Sequence, residues 1–287
     1  MEQILLRDII AGNRSFSLSV QKEDFSSLYP GFFRYTLSVS DSIRTRAVFR
    51  TNTYEYAPGV PLRAEDVALQ KAGQWEADLR EDPDMFLERH KTVPETKREA
   101  SHADVAIVQA SPRADGNSST LALWAEGAAR DLGMTVEVIY PHDMDIHECI
   151  GCYQCFNTGT CIYDDDMAGI IDLISRSRLL IICTPVYTNT VPSNLKLLID
   201  RFQAYYAGQT LGGSAPVNRK GLILSVAGRP GQVNFTCIKN VLVAFMHIAG
   251  ITPSGEVFID GVDRFHDIKE IPDCRERVEM LVTQCVR

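Results

Sequence analysis

An open, doubly wound α/β sheet, preceded by a smaller antiparallel region, is the architecture the sequence predicts, and three observations carry it. From residue 104 onward, short apolar runs alternate with segments of helical period. The runs Val105–Ala110 and Leu179–Cys183 are almost wholly apolar, as strands covered on both faces of a parallel sheet are. Before residue 101 the pattern is different, with period-two alternation typical of half-buried antiparallel strands. The predicted division is an N-terminal extension over 1–100 and an α/β domain over 101–287.

In the extension, Met1–Asp8 reads as a short amphipathic element. Phe33, Tyr35, Leu37 and Val39 alternate with polar residues and predict a strand. Asp41-Ser42 turns the chain, and Arg44–Tyr56 returns as a second strand closed by Pro58-Gly59. A helix is expected over Arg63–Arg80, followed by a charged connector over Glu81–Ser101. This region holds no clustered ligands, no phosphate loop and no nucleophile–base pair, so no chemistry is assigned to it.

In the α/β domain, Val105–Ala110 is the first strand, and Leu121, Trp124, Ala125 and Ala128 mark a helix ending near Gly133. Thr135–Tyr140 is the second strand. Asp164–Asp166 opens a helix whose apolar face is Met167, Ile170, Ile171 and Ile174, with carboxylates at its positive end. Leu179–Cys183 and Lys220–Val226 are the third and fourth strands. Between them Ser193 is expected to cap a helix carrying Leu195, Leu198, Ile199 and Phe202. A further helix aligns Cys237, Val241, Phe245 and Ile248, Glu256–Ile259 is the fifth strand, and Cys274, Val278, Leu281, Val282 and Cys285 lie along the last helix.

Composition excludes several classes. With 287 residues, 45% hydrophobic and 23% charged, the chain has ample core for an ordinary globular protein. A net charge of −8 argues against nucleic acid and anionic membrane as partners. No apolar run is long enough to span a bilayer and no signal-peptide order is visible, so a cytoplasmic protein is expected.

Four of the eight cysteines fall in one stretch, Cys149-Ile-Gly-Cys152-Tyr-Gln-Cys155-Phe-Asn-Thr-Gly-Thr-Cys161. The C-x2-C-x2-C-x5-C spacing lets one loop wrap an iron–sulfur cluster and favours that over zinc, whose sites more often pair two knuckles across a longer gap. A disulfide framework suits small secreted domains better. His142 and His147 flank the loop and are not needed as ligands. Cys237, Cys274 and Cys285 fall on apolar helix faces and are expected to be buried structural thiols, as is Cys183 at its strand end. His247, amid Phe245, Met246 and Ile248, reads as a structural histidine.

Ser111-Pro112-Arg113-Ala114-Asp115-Gly116-Asn117-Ser118-Ser119 links the first strand to the first helix. Small residues let backbone N–H groups converge, hydroxyls add donors, and the helix N-terminus adds positive potential, which together bind a phosphate. The Gly-Lys-Ser/Thr of a nucleotide P-loop and the Gly-x-Gly-x-x-Gly dinucleotide fingerprint are both missing, and Arg113 suits the terminal phosphate of a mononucleotide. Two further loops leave the same end of the sheet, Thr184-Pro185-Val186-Tyr187-Thr188-Asn189 and Ala227-Gly228-Arg229-Pro230-Gly231-Gln232. If the strands take the flavodoxin-like order 2-1-3-4-5, the first and third flank the switch point at which that fold holds FMN. Pro185 and Gly228 suit backbone held close to a flat ring, and Tyr187 is expected to border it or to pack on its own loop.

From about Asp104 onward the chain resembles the iron–sulfur flavoprotein branch of the NADPH-dependent FMN reductase family, which is flavodoxin-like. The residues that carry the resemblance are Ser111-Pro112-Arg113 with Gly116-Asn117-Ser118, the four-cysteine loop with Asp165-Asp166-Met167, Pro185-Val186-Tyr187, and Lys196 with Asp200-Arg201. It implies FMN held at its phosphate by Ser111, Arg113, Gly116, Asn117, Ser118 and Ser119, and at its ring by Pro185, Val186, Tyr187, Thr188, Asn189 and Gly228. It further implies a [4Fe-4S] cluster on Cys149, Cys152, Cys155 and Cys161, and a homo-oligomer. Residues 1–100 fall outside it. The expected activity is electron transfer between FMN and the cluster, with no catalytic side chain, from a donor such as NAD(P)H or ferredoxin. The alternatives are a clusterless NAD(P)H-dependent FMN or quinone reductase, and a zinc- or redox-responsive binding module.

Overall fold

A computed structural model describes residues 1–57, 59–90, 102–212, 219–265 and 267–286. Pro58 and most of the charged connector, 91–101, therefore lie outside the described residues. The chain divides into two compact units: Met1–Thr96 with Gly151–Ile162, and Lys97–Ile150 with Tyr163–Arg287.

The first unit contains a four-stranded antiparallel sheet, β1 (Glu2–Ala11), β2 (Arg14–Asp24), β3 (Phe33–Ser40) and β4 (Thr45–Asn52), in sequential order. Period two decides its inner face: Phe16, Leu18 and Val20 of β2 and Tyr35, Leu37 and Val39 of β3 are all buried. Helix α1 (Ala64–Glu81) covers that face with Ala68, Ala72, Trp75 and Leu79, spaced three and four apart as one helical stripe requires. Each large side chain so buried contributes roughly 1.5–3 kcal/mol relative to exposure. A short helix α2 (Pro83–Arg89) begins with Pro83, is capped by the Asp82 carboxylate, and sets Phe86 edge-on to Trp75 at 5.5 Å.

Four elements here differ from the sequence expectation, the first being α2, which with its buried Phe86 lies where only a charged connector was expected. The N-terminal amphipathic element is β1, whose alternation is broken by a register shift between Gln3 and Leu5. The alternating Ser15–Val20 segment is β2, joined to β1 by the two-residue turn Gly12-Asn13, with Gly12 at a φ of +60°. The returning strand stops at Asn52, where the Asn52 side chain accepts from the Tyr54 amide and the Glu55 carboxylate accepts from the Asn52 amide.

The second unit is a five-stranded parallel sheet of order β6-β5-β7-β8-β9, built from β5 (Val105–Gln109), β6 (Val136–Ile139), β7 (Leu179–Pro185), β8 (Arg219–Val226) and β9 (Ile251–Ile259). This is the 2-1-3-4-5 order expected. Counted by appearance, the first strand lies between the second and third: Ile107 pairs with Val138 on one side and Ile181 on the other. Helices α3 (Asn117–Asp131) and α9 (Cys274–Val286) cover one face. The other is covered by α5 (Met167–Arg176), α6 (Ser193–Arg201) and α8 (Thr236–Ile248), with α7 (Gln203–Gly212) following α6, whereas the one-turn helix α4 (Cys155–Thr158) belongs to the first unit. Among the described residues no helix is long and apolar enough to cross a membrane.

Several local expectations are corrected. Ser193 is the first residue of α6, not its cap; Pro192 takes the cap position and no side-chain oxygen accepts there. In α8 the buried face is Ile238, Leu242, Phe245 and Met246, so Cys237 is exposed rather than a packed thiol, and His247 is exposed too. The run Val241–Met246 is apolar all round, so periodicity could not choose its inner face. Cys183, Cys274 and Cys285 are buried as expected, and burial pushes all three thiols up.

Candidate functional site

The carboxyl ends of β5, β7 and β8 open onto a cleft of about 830 Å³. Ser111, Arg113, Gly116, Asn117 and Ser118 line it from the first loop, Pro185–Asn189 from the second, and Gly228 from the third. Ser119, expected with them, is turned away: its hydroxyl donates to the Arg113 carbonyl at 2.8 Å and accepts from Gln109 at 2.6 Å. Residues not foreseen as ligands also line the cleft, among them Asn234, Val262 and Asp263. Val262 and Asp263 follow the last strand, and a rule that all strand ends at a switch point contribute would have included them.

The first loop has the form of an anion cradle. Ser111 Oγ accepts from the Arg113 amide at 3.1 Å, curling the chain, and Gly116 precedes α3, where Cβ on it would lie 3.2 Å from Arg113 Cβ. The first amides of α3 then face outward with the positive end of the helix. Asn117 is held from the side, its Oδ1 accepting from the Ile268 amide at 3.1 Å. Ser118 is 2% exposed, and its Oγ has no hydrogen-bond partner among the described residues. A buried hydroxyl left so costs about 1–3 kcal/mol. Phosphate oxygens are acceptors, so the residues present fit a phosphomonoester in chemistry. Beyond β8, Gly228 lies against Asp263, whose Oδ2 would be 2.5 Å from any Cβ placed there. A side chain at that position would require the exposed Asp263 carboxylate to move.

The cysteine stretch is anchored at both its base and its tip. At the base, within the second unit, the side chains of Asp165 and Arg201 are almost fully buried and pair through two contacts of 2.6 and 3.0 Å. Arg201 also donates to the His147 carbonyl at 2.8 Å, while Asp165 accepts from the amides of His147 and Met167. The His147 ring stacks on Tyr163 at 4.8 Å. The residues before Cys149 and after Cys161 are thus tied together. Burial alone would raise the Asp165 carboxyl, but the Arg201 guanidinium and the two amides outweigh it and hold it down at about 2.

At the tip, within the first unit, Tyr153 stands at a φ of +58° between Gly151 (+66°) and Gly159 (+82°). A left-handed aromatic residue costs about 1–2 kcal/mol, and neighbours hold it there. Its ring packs on Tyr54 at 5.1 Å and its carbonyl accepts from Asn52 Nδ2 at 3.2 Å. Phe156 is enclosed by Phe32 at 5.3 Å and Tyr29 at 5.6 Å, and its carbonyl accepts from the Arg34 guanidinium at 3.2 Å. Asn157 is 2% exposed; its amide donates to the Glu55 carboxylate, and its oxygen accepts from Asn52 at 2.9 Å.

The thiols themselves are in no disulfide. Cys149 is exposed and belongs to the second unit, whereas Cys152, Cys155 and Cys161 are half-buried and belong to the first. Among the described residues no group of three or more His, Cys, Asp or Glu side chains is gathered to hold a metal ion. In number and chemistry the donors suit a four-thiolate cluster; as a gathered ligand set they are not formed.

Comparison with known proteins bears on the family and the fold. Residues 103–262 match the family model described as NADPH-dependent FMN reductase. An iron–sulfur flavoprotein of Methanocaldococcus jannaschii is 32% identical over 114 residues, 38% of this chain and 59% of that protein. One from Archaeoglobus fulgidus is 34% identical over 103 residues, 36% of this chain and 47% of that protein. The chain thus matches about half the length of these curated relatives. The FMN-bound crystal structure of an FMN-dependent NADH-azoreductase from Bacillus anthracis superposes with a TM-score of 0.50 at 14% identity, covering 64% of this chain and 99% of that one, a likeness of fold alone. With the matched segment spanning the five-stranded sheet from β5 to the end of β9, the chain belongs to the NADPH-dependent FMN reductase family, and within it is similar to iron–sulfur flavoproteins.

Proposed function

We infer that this protein is an FMN-dependent oxidoreductase in which the cleft at the strand ends holds the flavin. The observation that carries the reading is the unpartnered, buried Ser118 hydroxyl at the N-terminus of α3, beside Ser111 and Arg113 in a cleft of about 830 Å³. Family membership supports it. A bound flavin supplies reversible acceptance of a hydride or of single electrons. The chain's own residues bind and orient it. Backbone amides of the first loop, Ser111, Ser118 and Arg113 take the phosphate, while Pro185–Asn189 and Gly228 border the ring. No acid or base from the protein is required, so no catalytic side chain is assigned.

The finer reading is that Cys149, Cys152, Cys155 and Cys161 hold a [4Fe-4S] cluster exchanging electrons with FMN. It is supported by four closely spaced thiols, a loop curled by left-handed residues, and similarity to proteins named iron–sulfur flavoproteins. The clusterless reductase is the second reading, in keeping with the family's description, which names FMN and NADPH and no cluster. NAD(P)H, in keeping with the family's description, is the proposed donor, and a homo-oligomer the proposed assembly.

Anaerobic purification, followed by a visible spectrum and assays of flavin, iron, acid-labile sulfide and zinc, tests both readings. Stoichiometric FMN with iron and sulfide is expected. Flavin without iron or sulfide leaves the clusterless reductase, and a chain that takes up no flavin overturns the assignment altogether.

A further inference from the structure

The N-terminal unit carries no chemistry in its sequence, yet it encloses the part of the cysteine loop that lies between thiols. We propose that this unit is a clamp whose function is to order the Tyr153–Asn157 turn, so that Arg34, Asn52 and Glu55 act as positioning residues for Cys152, Cys155 and Cys161.

The contacts are of the kind that fix a backbone rather than merely cover it. Phe156 and Tyr153 each have their carbonyl taken by a side chain of the unit, Arg34 for the first and Asn52 for the second. Arg34 cannot swing freely, because its other donors are bidentate on Glu23 at 2.7 and 2.9 Å. Asn52 is wholly buried and makes its contacts from the cap of the turn that ends β4. Asn157, also buried, is locked through Glu55, the partner of that same cap. One capping box therefore does two jobs, ending a strand and receiving a residue more than a hundred positions away in sequence. Tyr153 supplies the independent sign. A bulky residue persists in the left-handed region only where its surroundings over-determine it, and such residues collect at functional sites. It stands between Cys152 and Cys155, so its conformation sets the direction in which the chain leaves each thiol.

As a device serving a metal site, the clamp rests on the reading of the cysteine loop given above. Its test is made on the metal-free full-length protein and does not depend on that reading. Asn157→Asp puts a carboxylate against that of Glu55 and removes the donor. The double variant Asn157→Asp with Glu55→Gln exchanges amide and carboxylate and restores it. Iodoacetamide modification of each cysteine is followed by mass spectrometry, with exposed Cys237 as reference and buried Cys183, Cys274 and Cys285 reporting general loosening. In Asn157→Asp, modification of Cys152, Cys155 and Cys161 should rise about tenfold, and the double variant should return most of the way. Arg34→Gln, which leaves the buried Asn52–Glu55–Asn157 group intact, should raise the same three by about threefold. Rates at those three within about twofold of wild type in both single variants, or a rise shared equally by the buried thiols, overturn the clamp. Failure to take up iron would count against the cluster and leave this result standing.

Discussion

Ser118 shows how a residue can be bad for the fold and good for the site. Its hydroxyl is buried without a partner among the described residues, a cost that folding alone does not explain. Ser118→Ala should therefore leave the flavin-free protein as stable as wild type or more so, by up to about 1 kcal/mol, while weakening FMN about tenfold. Thermal melts without flavin and fluorescence titration with FMN read the two effects separately. Asp165 makes the opposite case, a charge retained because its partners over-satisfy it. Its carboxyl is depressed from about 3.9 in an unfolded chain to about 2 in the folded one. A depressed acid stabilises above its unfolded value and loses that contribution as pH falls through the folded value. The unfolding midpoint should thus drop between about pH 4 and pH 2. Asp165→Asn strands the Arg201 charge, costing about 3–5 kcal/mol at neutral pH, and should lack that acid-dependent component. Urea unfolding across this pH range checks both.

At the scale of elements, the parallel sheet is held to its helices by a buried cation the sequence did not advertise. Arg219, at the start of β8, is 3% exposed and donates to the carbonyls of Ile174 and Ala249 and to the Tyr205 hydroxyl. Those carbonyls lie at the C-terminal ends of α5 and α8, where helix dipoles are negative and backbone acceptors are left over. In sequence Arg219 is one of two adjacent basic residues before an apolar run, and nothing in that pattern marks it for burial. Arg219→Leu leaves both helix ends unsatisfied and should cost roughly 3 kcal/mol, measured as a lower urea midpoint with the sheet signal in circular dichroism retained. Beside it, Gly221 has Met246 and Ile251 where a Cβ would go, 2.7 and 2.8 Å away. Gly221→Ala should overpack β8 against α8 and cost about 1–3 kcal/mol by the same measurement.

At the scale of the whole molecule, the chain's order and its packing part company at the cysteine loop. Gly151–Ile162 leaves one unit, packs with strands laid down a hundred residues earlier, and returns. Cooperative units exchange their amides together. Hydrogen exchange in increasing urea should therefore show the Phe156 and Asn157 amides losing protection with β3 and β4, not with β5 and β7. Simultaneous loss with the parallel sheet alone would show that the loop belongs energetically to the other unit.

What the sequence determined by itself was everything written in a local period. Fully apolar runs spaced by helices point to a parallel sheet, while the strand order and its switch point came from the flavodoxin-like resemblance. The residues that line the cleft were legible because glycine, proline and hydroxyl side chains at strand ends have few other uses. Ser119 escaped because adjacent hydroxyls on one helix turn point different ways, which only the built turn decides. The face of α8 was assigned wrongly and Cys237 was expected to be buried, because an apolar run offers no preferred side. The tertiary structure alone decided the partnerships between distant residues: Asp165 with Arg201, Arg219 with two helix ends, and Asn157 with Asn52 and Glu55. No spacing encodes these, because each polar side chain is satisfied by whatever the folded chain brings within hydrogen-bond reach.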